Sequence, residues 1–351
     1  MFSLPWKKRL PPTGLDCGQA WTKLVGFRRS KQGVTLERIG RMPWTGQDRE
    51  SPQHMATKLA ALYSGLQLES GPVITSLAGH SVIMKRLNLP VQQIKDLPNT
   101  LPDLASQHIP FDIQDVCLDY QILDQEDDID SRTILLVASK KKVVHETQWI
   151  LSQADLETHI LDVDGFAVCN CFEFNYPEQQ ETPVALLDIG AHQSTFCVVA
   201  HRCPLFLRDA GFGGQQVTDR LAEQLDLSSV QAETMKWQSS DALPAEIRTH
   251  VEREIRSIFI SWTEEIRRLL HYYINSQSVA PSPPKTLYLS GGGSLHPGLE
   301  AFLNEHLDFE TAYLDPWRHC HIDDSRFDIG YLNSLGPQFA VSAGLALRGV
   351  W

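Results

Sequence analysis

One kind of turn occurs twice in this sequence and constrains its fold more than any other feature. An apolar segment ends in Asp-x-Gly and polar residues then lead into a second apolar segment, at Asp16 and Gly18 and again at Asp188 and Gly190. The two turns lie about 170 residues apart, and a third apolar segment ends in three glycines at residues 291–293. This pattern predicts strands of more than one sheet that end in glycine-containing turns.

The residues of these turns suit the binding of a phosphate or a nucleotide. Gly18 would let backbone N–H groups approach a phosphate, Asp16 would hold a hydrated Mg²⁺, and Lys23 would add a positive point charge. Three glycines in succession would let a flat ring or a ribose lie against bare backbone. A single Asp-x-Gly turn is common in hairpins, so three unrelated turns stay an alternative at this level.

Length and composition exclude several classes of protein. With 351 residues, of which 42% are hydrophobic and 21% charged, the chain suits two globular domains and not a disordered chain. A net charge of −12 argues against a general nucleic-acid binder. Its apolar runs are far shorter than the ~18 residues of a membrane-spanning helix, and no secretory signal is expected. Seven cysteines, mostly within apolar runs, suit a reducing cytoplasm.

Strand and helix periods alternate along the chain and predict a mixed α/β fold. Polar breaks are expected at residues 124–131 and 279–284. Helices are predicted over residues 143–152, about 214–225 and 245–275. Strands are predicted over residues 73–77, 82–89, 116–123, 134–138, 184–189 and 195–200.

Taken together, the three turns resemble the phosphate-1, phosphate-2 and adenosine motifs of the actin and sugar-kinase superfamily. Nearly the whole chain is also similar to the PilM family of type IV pilus assembly proteins. The segments that carry this similarity are residues 87–90, 109–112, 118–121, 137–141, 161–167, 213–218, 232–236 and 344–348. Members of that family are cytoplasmic and FtsA-like, bind ATP, and grip the short N-terminal cytoplasmic peptide of the inner-membrane protein PilN.

The resemblance implies an α/β, two-domain actin-like (ribonuclease H-like) ATPase fold with an FtsA-like inserted subdomain. The first domain is expected over residues 1–163 and 337–351, with the insertion at about 72–145. The second domain, which carries the adenosine loop, is expected over residues 164–336. The peptide groove would lie between the insertion and the rest of the first domain, where an extended apolar peptide docks on a strand edge or in an apolar slot.

The resemblance also implies ATP and Mg²⁺ as ligands and assigns residues to them. Mg²⁺ is expected at Asp16 and Asp188, through its waters. The first phosphate loop is matched by Asp16, Gly18, Gln19 and Lys23, and the second by Asp188, Gly190 and Thr195. A Gly-Gly helix start is matched by Gly213, Gly214 and Thr218. The helix at the ribose and base is matched by Glu233 and Lys236, and the adenosine loop by Gly291, Gly292 and Gly293.

Two departures from the family pattern bear on turnover. Cys17 stands where Ile is usual, and Gln19 and Ala20 stand where small hydroxyl residues are usual. Because a phosphate-facing hydroxyl is lost, we expect slow or negligible ATP hydrolysis, and whether the chain is an enzyme stays open. Cleavage also needs a positioned water, for which Gln193 is the candidate.

The function that the resemblance implies is an ATP-binding scaffold, peripheral at the inner membrane through its partner. It would bind the N-terminal peptide of a PilN-type protein, link the inner-membrane pilus complex to the cytoplasmic machinery, and could self-associate. The alternatives are a small-molecule (sugar-type) kinase of the same fold and a PilM-like component of a related secretion or competence system. Zinc is not expected at residues 169–171 or 319–321, because the ligand spacing does not suit a tetrahedral ion.

Overall fold

The computed structural model describes residues 11–31, 33–123, 130–238, 242–276 and 282–351. In these ranges strands and helices alternate as the sequence predicts, and the α/β class is confirmed. Of the two predicted polar breaks, residues 124–129 and 279–281 lie outside the described residues.

All six predicted strands are present, with ends close to the predicted ones. Most of them alternate buried and exposed side chains or are buried on both faces, which explains their apolar composition. The described strands are β1 (Thr13–Cys17), β2 (Trp21–Ser30), β3 (Gly33–Pro43), β4 (Pro72–Leu77), β5 (Val82–Pro90), β6 (Val116–Leu123), β7 (Ser131–Lys140), β8 (Glu157–Val163), β9 (Val184–Ile189), β10 (Ser194–Ala200), β11 (Cys203–Ala210), β12 (Thr286–Ser290), β13 (Glu310–Tyr313) and β14 (Cys320–His321).

The three predicted helices are confirmed as well. The longest buries Trp262, Ile266 and Tyr273 along one face, as spacings of three and four residues predict. The described helices are α1 (Pro52–Gly65), α2 (Val91–Ile94), α3 (Leu97–Ser106), α4 (Lys141–Gln153), α5 (Asp164–Asn175), α6 (Gln215–Leu225), α7 (Ser229–Lys236), α8 (Ala245–Ser276), α9 (Leu299–His306), α10 (Ile329–Leu335) and α11 (Ala340–Leu347).

The strands form three sheets. A six-stranded sheet has the order β14-β3-β2-β1-β4-β8, a five-stranded sheet has the order β11-β10-β9-β12-β13, and a three-stranded sheet has the order β5-β7-β6. In the six-stranded sheet β1 is antiparallel to β2 and parallel to β4. In the five-stranded sheet β9 is antiparallel to β10 and parallel to β12. The two larger sheets therefore repeat one arrangement, a hairpin whose first strand has a parallel neighbour.

The small sheet, which we call the inserted sheet, runs from Val82 to Lys140, within the range of about 72–145 expected for the insertion. Strand β4, at the start of that range, belongs to the six-stranded sheet because it pairs in parallel with both β1 and β8. An apolar strand looks the same in sequence whichever sheet it joins, so only the pairing shows to which sheet β4 belongs.

Helices α5 and α11 pack closely between the two larger sheets. Their apolar residues share one buried cluster with residues of both sheets, among them Phe27 and Leu186. The two helix backbones come so near that a Cβ atom added to Gly344 of α11 would lie 1.7 Å from the carbonyl oxygen of Ala167 in α5. This helix pair therefore fixes how the two larger sheets meet.

Candidate functional site

The two Asp-x-Gly turns and the glycine turn line one cavity of about 370 Å³. The β1–β2 hairpin contributes Asp16 and Lys23, which are cross-strand partners. The β9–β10 hairpin contributes Asp188 and Thr195, which are cross-strand partners in the same way. Since β12 runs parallel to β9 and pairs Ser290 with Asp188, the glycine turn that follows β12 reaches the same edge. Turns that are far apart in the sequence thus meet at one place.

Most of the predicted site residues line this cavity. Two of them do not: Gly213 packs against the backbone of Ala191, and Thr218 is buried behind the cavity and donates a hydrogen bond to Glu233. The predicted residues that line the cavity are Asp16, Gly18, Gln19, Lys23, Asp188, Gly190, Gln193, Thr195, Gly214, Glu233, Lys236, Gly291, Gly292 and Gly293.

Side chains from the loop after β3 hold the tip of the first turn. Trp44 Nε1 and Arg49 Nη1 each donate a hydrogen bond of 2.8 Å to the carbonyl oxygen of Gly18. Lys23 forms an ion pair with Asp16. Burial by itself would lower the pKa of Lys23, but the charge and hydrogen bond of Asp16 raise that pKa above its usual value. Lys23 therefore keeps a positive charge in the cavity, where it can attract an anion.

Asp188 and Asp164 are among the further carboxyl groups that share the cavity with Asp16. Asp188 accepts a hydrogen bond of 2.8 Å from Ser290 Oγ, and burial raises its pKa. Asp164, the first residue of α5, accepts one of 2.5 Å from Ser76 Oγ. Burial, with the charge of Asp16 as a second cause, raises the pKa of Asp164 to about 8. The carboxyl groups of Asp16 and Asp188, together with Lys23, suit a hydrated cation with an anionic ligand, because water molecules can lie between the carboxyl groups and the ion.

Helix α7 and the glycine turn form a further part of the cavity wall. Buried Lys236 donates hydrogen bonds to the carbonyl oxygen of Gly214 (3.2 Å) and to Glu233 Oε2 (2.6 Å). Burial lowers the pKa of Lys236 despite the nearby Glu233. Trp237 lines the cavity, is 40% exposed, and donates to Glu233 Oε1 at 3.0 Å. Its exposed ring and the bare backbone at residues 291–293 provide surfaces for a flat ring.

The sequence analysis did not anticipate several residues of the cavity. Asp164 is the first residue of α5 and directly follows strand β8. Trp237 directly follows α7, a helix in which the sequence pointed only to Glu233 and Lys236. An acid or an aromatic residue at such a position carries no specific signal, because many exposed residues have the same local sequence. The unanticipated polar and aromatic residues that line the cavity include Arg49, Ser76, His80, Asp164, Asp209, Trp237 and Gln338.

Asp164 predicts an unusual dependence of stability on pH. Its pKa of about 8 in the folded protein lies above the value of roughly 3.9 expected in the unfolded chain. Between about pH 4 and pH 8 the folded chain thus keeps a proton that the unfolded chain loses, so the free energy of unfolding falls as pH rises, by up to about 1.4 kcal/mol per pH unit. Asp164→Asn mimics the protonated acid and should remove this contribution.

Urea denaturation at pH 5, 6.5 and 8 measures the effect. The asparagine variant should gain stability over the unmodified protein as the pH rises, whereas Asp308→Asn, at an exposed position, should follow the unmodified protein. Parallel profiles for Asp164→Asn and the unmodified protein would show that this carboxyl is ionised in the folded chain.

Comparison with protein families shows to which family the chain belongs. The family described as type IV pilus assembly protein PilM matches residues 14–350. The chain belongs to the PilM family. The match includes both Asp-x-Gly turns and the glycine turn, so all three form part of the region that defines a PilM protein.

Solved structures extend this result to the fold. A structure described as the PilM-PilN type IV pilus biogenesis complex matches with a TM-score of 0.86 and 26% identity, over 98% of this chain and 99% of that chain. The ethanolamine utilization protein EutJ of Carboxydothermus hydrogenoformans matches with a TM-score of 0.55 and 14% identity, over 97% and 91%. MreB5 of Spiroplasma citri bound to ADP matches with 0.52 and 10%, over 96% and 95%. The fold is actin-like.

The described residues contain neither a membrane-spanning helix nor a clustered metal site. No helix there has both the length and the apolar composition that crossing a bilayer requires. No group of three or more His, Cys, Asp or Glu side chains there is arranged to ligate a metal ion. Cys169 and Cys171 lie buried in α5 as free thiols.

Proposed function

We propose that this chain is a nucleotide-binding scaffold of type IV pilus assembly that holds the N-terminal cytoplasmic peptide of a PilN-type inner-membrane protein. The observation that carries the proposal is the match of 98% of the chain to the PilM-PilN complex, at a TM-score of 0.86. Membership of the PilM family favours this scaffold over a sugar-type kinase of the same fold. The protein would act in the cytoplasm, at the inner membrane through its partner.

The nucleotide in this proposal is ATP with Mg²⁺, and the residues of the cavity suit both. Asp16 and Asp188 would hold Mg²⁺ through its waters, since Mg²⁺ keeps several of them and needs few carboxylates. Lys23 and the backbone N–H groups near Gly18 and Gly190 would hold the phosphates. Gly214, Glu233, Lys236 and the glycine turn line the same cavity, and there they would hold the ribose and base.

ATP turnover is expected to be slow. Gln19 and Ala20 at the first turn are exposed and supply no hydroxyl to a phosphate. Gln193 and Asp164 line the cavity and are the candidates for positioning a water. We expect steady-state hydrolysis by the purified chain below about 1 s⁻¹, the low end of enzyme rates, measured as phosphate release at saturating ATP and Mg²⁺. Sustained turnover well above that rate would contradict the expectation.

A titration of the full chain tests the proposed function. A labelled synthetic peptide with the N-terminal cytoplasmic sequence of a PilN-type protein from the same organism is titrated with the chain, with and without ATP and Mg²⁺. We expect saturable binding of this peptide and none of a scrambled peptide of equal composition. Binding of a sugar together with phosphate transfer to it, and no peptide binding, would contradict the scaffold and favour the kinase.

A further inference from the structure

A row of three side chains that line the nucleotide cavity spans neighbouring strands of the five-stranded sheet, from β9 to the edge strand β11. Thr195 on β10 is the cross-strand partner of Asp188 on β9 and of Asp209 on β11. Directly opposed residues of antiparallel strands project from the same face of a sheet. Asp188, Thr195 and Asp209 thus form one cross-strand row, and Thr195 lies between the two carboxylates.

Thr195 is bonded to the outer carboxylate of this row. Its Oγ1 donates a hydrogen bond of 3.0 Å to Asp209 Oδ1. A threonine hydroxyl has a single proton, so it donates to one acceptor at a time. If a phosphate oxygen accepted this hydrogen bond instead, half-buried Asp209 would lose the hydrogen bond that Thr195 now donates to it.

The Asp209 carboxylate also lies close to the connection to the inserted sheet. A Cβ atom added to Gly79 would lie 2.5 Å from Asp209 Oδ2, so the carboxylate rests against bare backbone. Gly79 begins the short 3₁₀ turn Gly79–Ser81, which joins β4 of the six-stranded sheet to β5 of the inserted sheet. His80 of this turn lines the nucleotide cavity and lies close enough to Asp209 to interact with it electrostatically.

The inserted sheet is tied to this turn and to β11. Ser139 Oγ on β7 donates a hydrogen bond of 2.9 Å to the carbonyl oxygen of Ser81. Arg86 Nη1 on β5 donates one of 3.0 Å to the carbonyl oxygen of Leu205 on β11. These two hydrogen bonds connect the Gly79–Ser81 turn and β11 to two strands of the inserted sheet.

We propose that Asp209 is a positioning residue that couples occupation of the nucleotide cavity at Thr195 to the inserted sheet, and through it to the peptide groove. This inference rests on the proposed function, because it concerns the communication between the nucleotide and peptide sites. When Thr195 donates to a phosphate oxygen, Asp209 accepts a hydrogen bond from the Gly79–Ser81 turn instead. The turn, and the sheet that begins after it, then take a second position.

The test compares the affinity for the peptide without nucleotide and at saturating ATP with Mg²⁺. For the unmodified chain, we expect the Kd of the PilN-type peptide to change at least fivefold between no nucleotide and saturating ATP with Mg²⁺, within the usual range of allosteric coupling. For Asp209→Ala this ratio should fall to within twofold of one, at nucleotide concentrations shown by direct titration to be saturating. Asp209→Asn keeps the shape of the side chain and should also bring the ratio closer to one. Exposed Asp308→Ala is the matched control and should keep the full ratio.

Failure of this inference and failure of the proposed function give different results. If the unmodified chain binds both ligands with a ratio of one, or if folded Asp209→Ala keeps the full ratio, the coupling role is overturned and the scaffold function stands. If the unmodified chain binds no peptide or no nucleotide, the proposed function is contradicted and the coupling with it. Thermal melting of each variant, without ligands, verifies that it is folded.

Discussion

Replacement of Gly344 by alanine should lower the free energy of unfolding by about 3 kcal/mol or more, within or above the range for overpacked cores. A Cβ atom at this position would lie 1.7 Å from the carbonyl oxygen of Ala167 and 2.6 Å from its carbon. Those atoms belong to the backbone of α5 and cannot rotate away, so α5 and α11 must separate. Because this helix pair joins the two larger sheets, the cavity between the turns should be disturbed as well.

Urea denaturation of the full chain measures this effect, and Gly65→Ala is the matched control. Gly65 ends α1, is exposed, and has no atom within 4 Å of an added Cβ. Alanine there should be neutral or stabilise by up to about 1 kcal/mol, the usual difference between glycine and alanine in a helix. Equal stabilities of the two variants would contradict the close approach of α5 and α11.

Gly292→Val should lower the affinity for ATP at least tenfold while leaving the fold intact. A Cβ atom at Gly292 meets only Gln338, at 3.9 Å, which is ordinary contact, so the protein accommodates a Cβ atom at this position without strain. Gly292 lines the cavity, and in the proposed function a ribose or base lies against this bare backbone. A valine side chain would occupy that space, and the ligand would lose its contact there.

Calorimetric titration with ATP and Mg²⁺ measures the affinity, and thermal melting without nucleotide checks the fold. Gly65→Val, which adds the same side chain at an exposed position, should keep both the affinity and the melting temperature near those of the unmodified chain. Unchanged ATP affinity in a folded Gly292→Val variant would show that the nucleotide does not lie on the glycine turn.

The parts of the fold that the sequence predicted are those that depend on neighbouring residues. The helix α8 was predicted nearly to its ends, because its apolar residues recur with the helical period. The β1–β2 and β9–β10 hairpins were predicted because an Asp-x-Gly turn and two flanking apolar segments are all local features. Which sheet β4 joins did not follow from the sequence, because an apolar strand of this kind could have paired with either sheet.

The sequence by itself thus determined the α/β class and the turns that suit phosphates, and most of the residues that it predicted for the site line the cavity. The tertiary structure decided that these turns meet, and it added Asp164, Trp237 and Asp209 to the same place. The reason is physical: periodicity and turn propensity arise from residues that are close in the chain, whereas the meeting of strand ends depends on which distant strands pair. The raised pKa of Asp164 is of the second kind, since it follows from burial and from the charge of Asp16, which lies in another strand.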